Sequence, residues 1–475
     1  MLFLVIMNML LAVYATPVID TGDESVYIML SKTFLGEATS VDPNYLQYRS
    51  PLYSIIMAGF MLFFNPPFLY KVMVIFQYIL VAVTAWMVYL IFKRLFLKKE
   101  WAMLAALLFN LSFSTIYYAN VILTETLAAF LLVLSVNFLL KFDESRNLKW
   151  ICALGVSFGL LSLARFNAIP LFTTFCILLA YILIKEKVPF KKLIVYMGTF
   201  VFSMGLIIGG WELFNYHHYG KSRFINNAEV GVPKSPRKVI IASIRSGNTV
   251  SEKNKPLLDI FLKTRKEYLA RETPFKKGSL MDLDKMDFLI DLYSGVKIYQ
   301  LAKPALQSYL ELAEKEGSSD IRPDLDEFLR EIAAQNRWFL IKYKFLSFLN
   351  GLRPASGGSL SIEHGKSNLN ILPSSAFVVF KLLFLFVSIF VFIAFLHLLY
   401  ITIKTRSIPD VSLLVLFFIV MSFWLINFIY STANDANRFK FPAEPLIIGL
   451  FVFYIHKLIM RLAKTKHGND VKEMI

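Results

Sequence analysis

Long apolar runs, separated by short basic clusters, constrain this chain more than any other feature of its sequence. A helix rises about 1.5 Å per residue, so about 20 apolar residues cross roughly 30 Å of hydrocarbon. Such runs fall near residues 1–18, 68–92, 101–119, 121–140, 150–164, 167–184, 193–214, 374–403, 411–430 and 443–461. Of 475 residues, 56% are hydrophobic and only 18% are charged, and the mean hydropathy is +0.57. A water-soluble chain carries about one-quarter charged residues and cannot hide so much apolar surface. The 45 phenylalanines suit lipid-facing helices better than a compact soluble core. These patterns predict an all-α polytopic membrane protein with about ten transmembrane helices.

The net charge of +16 raises the question of nucleic acid, and the placement of the charges answers it. Basic residues cluster between the apolar runs, at Lys93, Arg94, Lys98 and Lys99; at Lys141, Arg146 and Lys149; and at Lys185, Lys187, Lys191 and Lys192. Lys404 with Arg406, and the tail Lys457, Arg461, Lys464 and Lys466, complete the set. Every second junction is basic, which puts those junctions and both termini in the cytoplasm. The expected location is a bacterial inner membrane, and no nucleic acid partner is implied. The run Pro51–Phe64, at 14 residues, is too short to cross, and counting it would break the alternation. It reads as a helix that lies in the outer interface or re-enters it. The first 15 residues resemble a signal peptide ending at Ala15 but lack a basic start. Cys152 and Cys176 lie inside apolar runs and read as packing residues.

The chain therefore divides into an N-terminal transmembrane module (1–214), an extracytoplasmic and mostly helical region (215–373), a C-terminal transmembrane module (374–461) and a basic cytoplasmic tail (462–475). The first outer loop covers 19–67. Within the longer region, Leu257–Leu269, Asp284–Lys297 and Asp324–Leu349 show helical apolar spacing. Trp338, Phe339, Tyr343, Phe345 and Phe348, with Lys342 and Lys344, suggest an amphipathic helix resting on the membrane.

Two constellations carry chemistry. The first is Asp20, Asp23 and Glu24, three carboxylates directly after the first apolar run. Thr21-x-x-Glu24 also has the form of a capping box, with acidic groups favoured by the helix dipole. In the functional reading one carboxylate serves as a base, while its neighbour caps the helix, holds a hydroxyl or binds a cation. Side chains next to each other on a helix splay about 100° apart, so Asp23 and Glu24 cannot meet one atom alike. The second constellation is a set of basic residues at expected outer ends, where the charge rule would not put them: Arg49, Arg165, Arg438 and Lys440. Guanidinium forks match phosphate oxygens, so together these residues suit a lipid phosphate, though each singly could snorkel to headgroups. Glu125 opens a span at the same level and is either a site residue or a solvated helix start. His217 and His218, after Trp211-Glu212, lack further recognisable metal ligands.

Asp23-Glu24-x-x-Tyr27 after the first span resembles the first-loop signature of GT-C membrane glycosyltransferases. The subgroup is glycosyltransferase family 39, which includes protein O-mannosyltransferases and the lipid A aminoarabinose transferase. Further matches are Arg49-x-Pro51-Leu52-Tyr53, Thr124-Glu125 opening a span, Leu160-x-x-Leu163-x-Arg165, and Arg438 followed by Pro442. The resemblance covers 1–215 and 374–461. It implies transfer of a sugar from a polyprenyl-phosphate donor to an acceptor hydroxyl on the extracytoplasmic side. Asp23 would be the base, with Glu24 beside it and Asp20 in reserve. Arg49, Arg165, Arg438 and Lys440 would hold the lipid phosphate, and Tyr27, Tyr53 and Glu125 the sugar or acceptor. No cofactor is required; a divalent metal is compatible, with no ligands identified. Sugar and acceptor stay unnamed. The long outer region lacks the look of the β-rich module of eukaryotic protein mannosyltransferases, and Ser54 stands where many relatives have a second proline. Two other readings are a multi-span transporter and a lipid-linked glycan polymerase or ligase. A transporter is expected to gather its polar groups near the midplane in paired interrupted spans. Here they gather at helix ends.

Overall fold

The computed structural model describes residues 2–14, 23–37, 49–65, 68–96, 98–219, 234–271, 306, 309, 322–351, 374–405, 410–430 and 441–466. Every regular element among them is helical. Numbered in order along these residues, they are α1 (Leu2–Tyr14), α2 (Asp23–Phe34), α3 (Pro51–Met61), α4 (Phe68–Lys93), α5 (Lys99–Asn110), α6 (Phe113–Asn120), α7 (Glu125–Ser145) and α8 (Leu148–Ala164). There follow α9 (Leu171–Lys185), α10 (Phe190–Tyr219), α11 (Lys234–Ser243), α12 (Lys255–Arg271), α13 (Arg322–Gln335) and α14 (Arg337–Gly351). The last are α15 (Ser374–Thr405), α16 (Val411–Tyr430) and α17 (Glu444–Lys466). Asp284–Lys297, Ala15 and the segment around Asp20 lie outside the described residues.

The described residues of each of the ten apolar runs are mainly helical, but the count of ten spans is not reached among the described residues. Six helices are long and apolar enough to cross a membrane, or seven if a bent pair counts as one. The bent pair is α5 and α6, which meet at 48° where sequence periodicity predicts one helix over 101–119. The break has a local cause. Ser112 ends the first helix's register and caps the second, its hydroxyl accepting from the Thr115 amide at 3.2 Å. α8 has 17 residues, which at about 1.5 Å each falls short of about 30 Å of hydrocarbon. A second predicted helix, Asp324–Leu349, is likewise divided at Asn336 into α13 and α14.

The described residues form two compact units. One comprises Met1–Ile225, Arg353–Leu425 and Arg438–Ile475; the other comprises Asn226–Leu352 and Ile426–Asn437.

In the first unit, apolar side chains cannot drive helix association against lipid, so close backbone approach and buried polar pairs do that work. Gly155 and Gly159 let α8 lie directly on α10: a Cβ at Gly155 would sit 2.7 Å from the Phe200 carbonyl oxygen and 2.7 Å from Ser203 Cβ. Ser135 and Ser157 share a hydrogen bond of 2.9 Å between α7 and α8. Asn8 on α1 donates to Asn110 on α5 at 2.8 Å. At one end of the bundle, Lys71 Nζ closes the last turn of α1 by donating to the carbonyls of Ala12 (2.6 Å) and Val13 (2.8 Å). At that same end Gln77 donates to the Val121 carbonyl at 2.8 Å. At the opposite end the basic junctions meet carboxylates: Arg94 with Glu144 at 2.6 Å, and Arg146 with Asp143 at 2.9 Å and Glu186 at 3.2 Å. Cys152, expected as a packed residue, is instead exposed, and its Sγ receives the Ser203 hydroxyl of α10 at 3.4 Å.

The second unit has a soluble-type core. Ile240, Leu258, Phe261, Phe328 and Ile332 are buried together, and the Phe261 and Phe328 rings stack at 5.4 Å. Glu331 holds a loop to α13, accepting from the Ser251 amide (2.9 Å), the Ser251 hydroxyl (2.8 Å) and Asn254 (3.0 Å). Partial burial raises the pKa of this carboxyl, and the bonds from Ser251 and Asn254 outweigh that and lower it.

Two tests follow from this packing. Gly155→Val should cost about 1–3 kcal/mol through overpacking. Gly198→Val, where nothing lies within 4 Å of an added Cβ, should not. Equal thermal shifts for the two variants in nanodiscs would refute close α8–α10 contact. Because folding lowers the Glu331 pKa, its stabilisation is present above the unfolded carboxyl value of about 4.3 and is lost as pH falls from there through the lower folded value. Glu331→Gln should remove that part of the acid sensitivity, as read by the hydrogen-exchange protection of the Ser251 amide between neutral and acid pH.

Candidate active site

The site is assembled by helix ends. α7 and α8 run antiparallel, joined at Arg146–Asn147, so the first residue of α7 and the residue after α8 reach the same level. Those residues are Glu125 and Arg165. An anion suits the amino end of a helix and a cation suits its carboxyl end, so the two dipoles favour both side chains where they stand. Arg165 Nη1 lies 3.0 Å from Glu125 Oε1, with the side chains 7% and 0% exposed. Arg165 leaves the helix in an extended conformation (φ −149°, ψ 110°) while its amide still bonds the Leu161 carbonyl at 2.8 Å. Its Nε also donates to Asn167 Oδ1 at 3.4 Å.

The short turn after Arg165 carries the next connection. The Phe166 amide donates to Ser50 Oγ at 3.3 Å, and Ser50 is the residue that leads into α3. Proline at the first position of α3 suits that start, since a helix's first amide has no intrahelical partner. α3 presents Tyr53, fully buried, edge-on to Tyr27 of α2 at 5.5 Å. Ser31 Oγ donates to the Tyr27 carbonyl (2.7 Å) and the Ser54 carbonyl (3.0 Å), and Ser54 Oγ donates to the Tyr27 carbonyl at 3.2 Å. Ser54 thus ties α3 to α2 through its hydroxyl.

Glu24, in the first turn of α2, is buried at 1% exposure, and Tyr27 at 4%. The Tyr53 hydroxyl has no hydrogen-bond partner among the described residues. Burial pushes its pKa well above the ordinary phenol value, and Tyr27, Glu125 and Glu24 add to the shift. Tyr53 is therefore a neutral donor held among carboxylates.

The structure thus brings together Glu24, Tyr27, Tyr53, Glu125 and Arg165. Arg49 is half-buried one residue before Ser50. Asp23 is the first residue of α2, and its side chain lies outside the described residues; Asp20, Arg438 and Lys440 lie wholly outside them. Sequence reasoning missed Glu444. It is fully buried in the first turn of α17, directly after the turn Phe441–Ala443, which packs on α7. Phe441 also meets the Tyr118 ring at 4.6 Å. The rule that singled out Glu125, an ionisable residue opening a span, applies to Glu444 equally. His217 and His218 are exposed, and the latter stacks on Phe214 at 4.1 Å. Among the described residues no group of three or more His, Cys, Asp or Glu converges as metal ligands would.

Residues 48–211 match the family described as Dolichyl-phosphate-mannose-protein mannosyltransferase. The matched segment holds Arg49, Tyr53, Glu125 and Arg165, whereas Glu24 and Tyr27 of α2 precede it and Glu444 follows it. No curated protein sequence matches the chain significantly. Similar solved structures include the archaeal oligosaccharyltransferase AglB from Archaeoglobus fulgidus, in complex with an inhibitory peptide and a dolichol-phosphate; identity is 13% and the TM-score 0.40, over 100% of this chain and 52% of that one. Another is ArnT from Cupriavidus metallidurans bound to undecaprenyl phosphate, at 14% identity and a TM-score of 0.37, over 97% of this chain and 78% of that one. The chain spans about half the length of the archaeal protein.

Removing one member of the buried pair leaves the other charged without compensation. Arg165→Met should therefore cost about 3–5 kcal/mol. The double variant Arg165→Met/Glu125→Met should recover most of that loss, as read by thermal unfolding in nanodiscs. Equal loss in the single and double variants would show that the two side chains do not form the pair.

Proposed function

We propose that the chain is a membrane glycosyltransferase of the GT-C type, moving a hexosyl- or pentosyl-type sugar from a polyprenyl-phosphate donor to an acceptor hydroxyl on the extracytoplasmic side. The observation that carries this reading is the Glu125–Arg165 pair, buried at the level where α2 and α3 present Glu24, Tyr27 and Tyr53. A water-soluble purpose would not require charge at that depth, and a translocation path would not concentrate it at one end of the bundle.

In this mechanism the acceptor oxygen attacks the anomeric carbon from the face opposite the phosphate. The carbon–oxygen bond to the lipid phosphate breaks as the new glycosidic bond forms, which inverts the configuration. Asp23 takes the hydroxyl proton, with Glu24 beside it. The polyprenyl phosphate leaves as an anion, so no acid need protonate it. Arg165, oriented by Glu125, acts with Arg49, Arg438 and Lys440 on the charge that develops there. Tyr53, kept neutral, donates to a sugar hydroxyl, and Tyr27 fixes its ring. The modules 1–214 and 374–461 supply the membrane part and the region 215–373 selects the acceptor. Both termini lie in the cytoplasm, and the membrane is a bacterial inner membrane.

The test is consumption of polyprenyl-phosphate sugars by purified protein in proteoliposomes. Removing a general base costs about 10²–10⁴-fold in rate, so Asp23→Asn should abolish detectable transfer at normal expression. Arg438→Ala should remove a charge-assisted bond of about 1.5–3 kcal/mol, weakening polyprenyl-phosphate binding roughly ten- to a hundred-fold. Full activity in the Asp23 variant overturns the assigned base. No consumption across the donor panel overturns the reading.

A further inference from the structure

α14 has two faces with different fates. Leu340 packs on the core of the second unit, Tyr343 is buried at 3%, and Phe339 lies under the Arg245 guanidinium at 5.8 Å. On the other side Trp338 is 76% exposed, Phe345 58% and Ile341 55%. At about 100° per residue these three fall within about 60° of one another and form a single stripe. Arg337 and Lys342, both exposed, stand on either side of it. An exposed indole continuous with two large aliphatic and aromatic side chains is not what a water-facing helix carries.

We infer that this stripe inserts into the interface of the outer leaflet, so that α14 is a membrane-docking surface that lies flat on the bilayer. The length of chain on either side points to lipid as the occupant. The second unit is strung between α10 and α15, both long and apolar enough to cross a membrane, so it is tethered to the bilayer surface from both directions. Surface tethering raises the local concentration of lipid far above that of any soluble partner. The side-chain chemistry agrees. Tryptophan is favoured at the headgroup level, and an apolar stripe with a cation on each flank matches an interface whose headgroups are anionic. The sequence pattern put Phe339 and Tyr343 on the membrane face together with Trp338 and Phe345; the fold turns the first two inward, leaves Trp338 and Phe345 outside and adds Ile341.

The experiment uses the full chain in nanodiscs of anionic lipid, one copy per disc, in a Cys152→Ser/Cys176→Ser background. An environment-sensitive fluorophore is attached at Ile341→Cys, at Phe345→Cys in a second variant, and at Asp259→Cys on the exposed side of α12 as the water-facing reference. Spin-labelled lipid should quench the probes at 341 and 345 several-fold more than the reference, and aqueous iodide should quench them several-fold less. Iodide access equal to that of the reference overturns the inference, because the stripe would then face water. Shelter from both quenchers also overturns it, because protein rather than lipid would cover the stripe. The double variant Trp338→Glu/Phe345→Glu, which puts two negative charges on the stripe, should restore iodide access to the probe at 341. Continued lipid quenching in that variant overturns the assignment of these side chains as the anchor.

Discussion

The ion pair between Glu125 and Arg165 is the interaction on which the rest of the arrangement depends. Two full charges away from water are costly singly and tolerable only together, so the pair dictates which helix ends must meet. Once α7 begins beside the end of α8, the extended residue Arg165 and the turn after it are committed to that level. The Phe166 amide then donates to Ser50, and through it holds the start of α3. α3 in turn carries Tyr53 to Tyr27 and Glu24 of α2. Each step follows from the one before by a hydrogen bond or ring contact, and none needs a long side chain to reach across the bundle.

Away from the site, the helices of the first unit are held by what lipid cannot supply. Gly155 and Gly159 remove side chains so that α8 can touch the backbone of α10. Asn8, Asn110, Ser135, Ser157 and Gln77 exchange hydrogen bonds that would have no partner in hydrocarbon. The second unit is built on the opposite principle. Its core is a cluster of isoleucine, leucine and phenylalanine that gains by leaving water, and its loop is held by the Glu331 carboxylate. One chain therefore uses two kinds of cohesion, matched to two solvents.

Much of this was readable beforehand because it is local. Hydropathy is summed over a window and helical period over a few turns, so the ten apolar runs, the short helix at Pro51 and the amphipathic stretch near Trp338 were all visible as helices. The bend after Leu111 was not, because a window average does not register one serine that caps a new helix. Glu125 and Arg165 were each singled out from the sequence, but for different tasks, and nothing in their spacing of forty residues said that they touch. Ser54, noted in the sequence only for standing in place of a proline, is a link between two helices. Glu444 was passed over although it obeys the same rule as Glu125.

The sequence by itself determined the class of structure, the order of its helices, the segregation of basic clusters from the polar groups at the other helix ends, and a short list of residues worth charging with chemistry. These follow from hydrophobic transfer and helix geometry, which act within a few turns of chain. Only the tertiary structure decided the partners: that Arg165 is held by Glu125, that Tyr53 sits among carboxylates with its hydroxyl unpaired among the described residues, and that α14 turns Trp338 outward and Tyr343 in. Partnership depends on which helices become neighbours. That is settled by packing across the whole unit, where small residues permit contact and buried charges demand it.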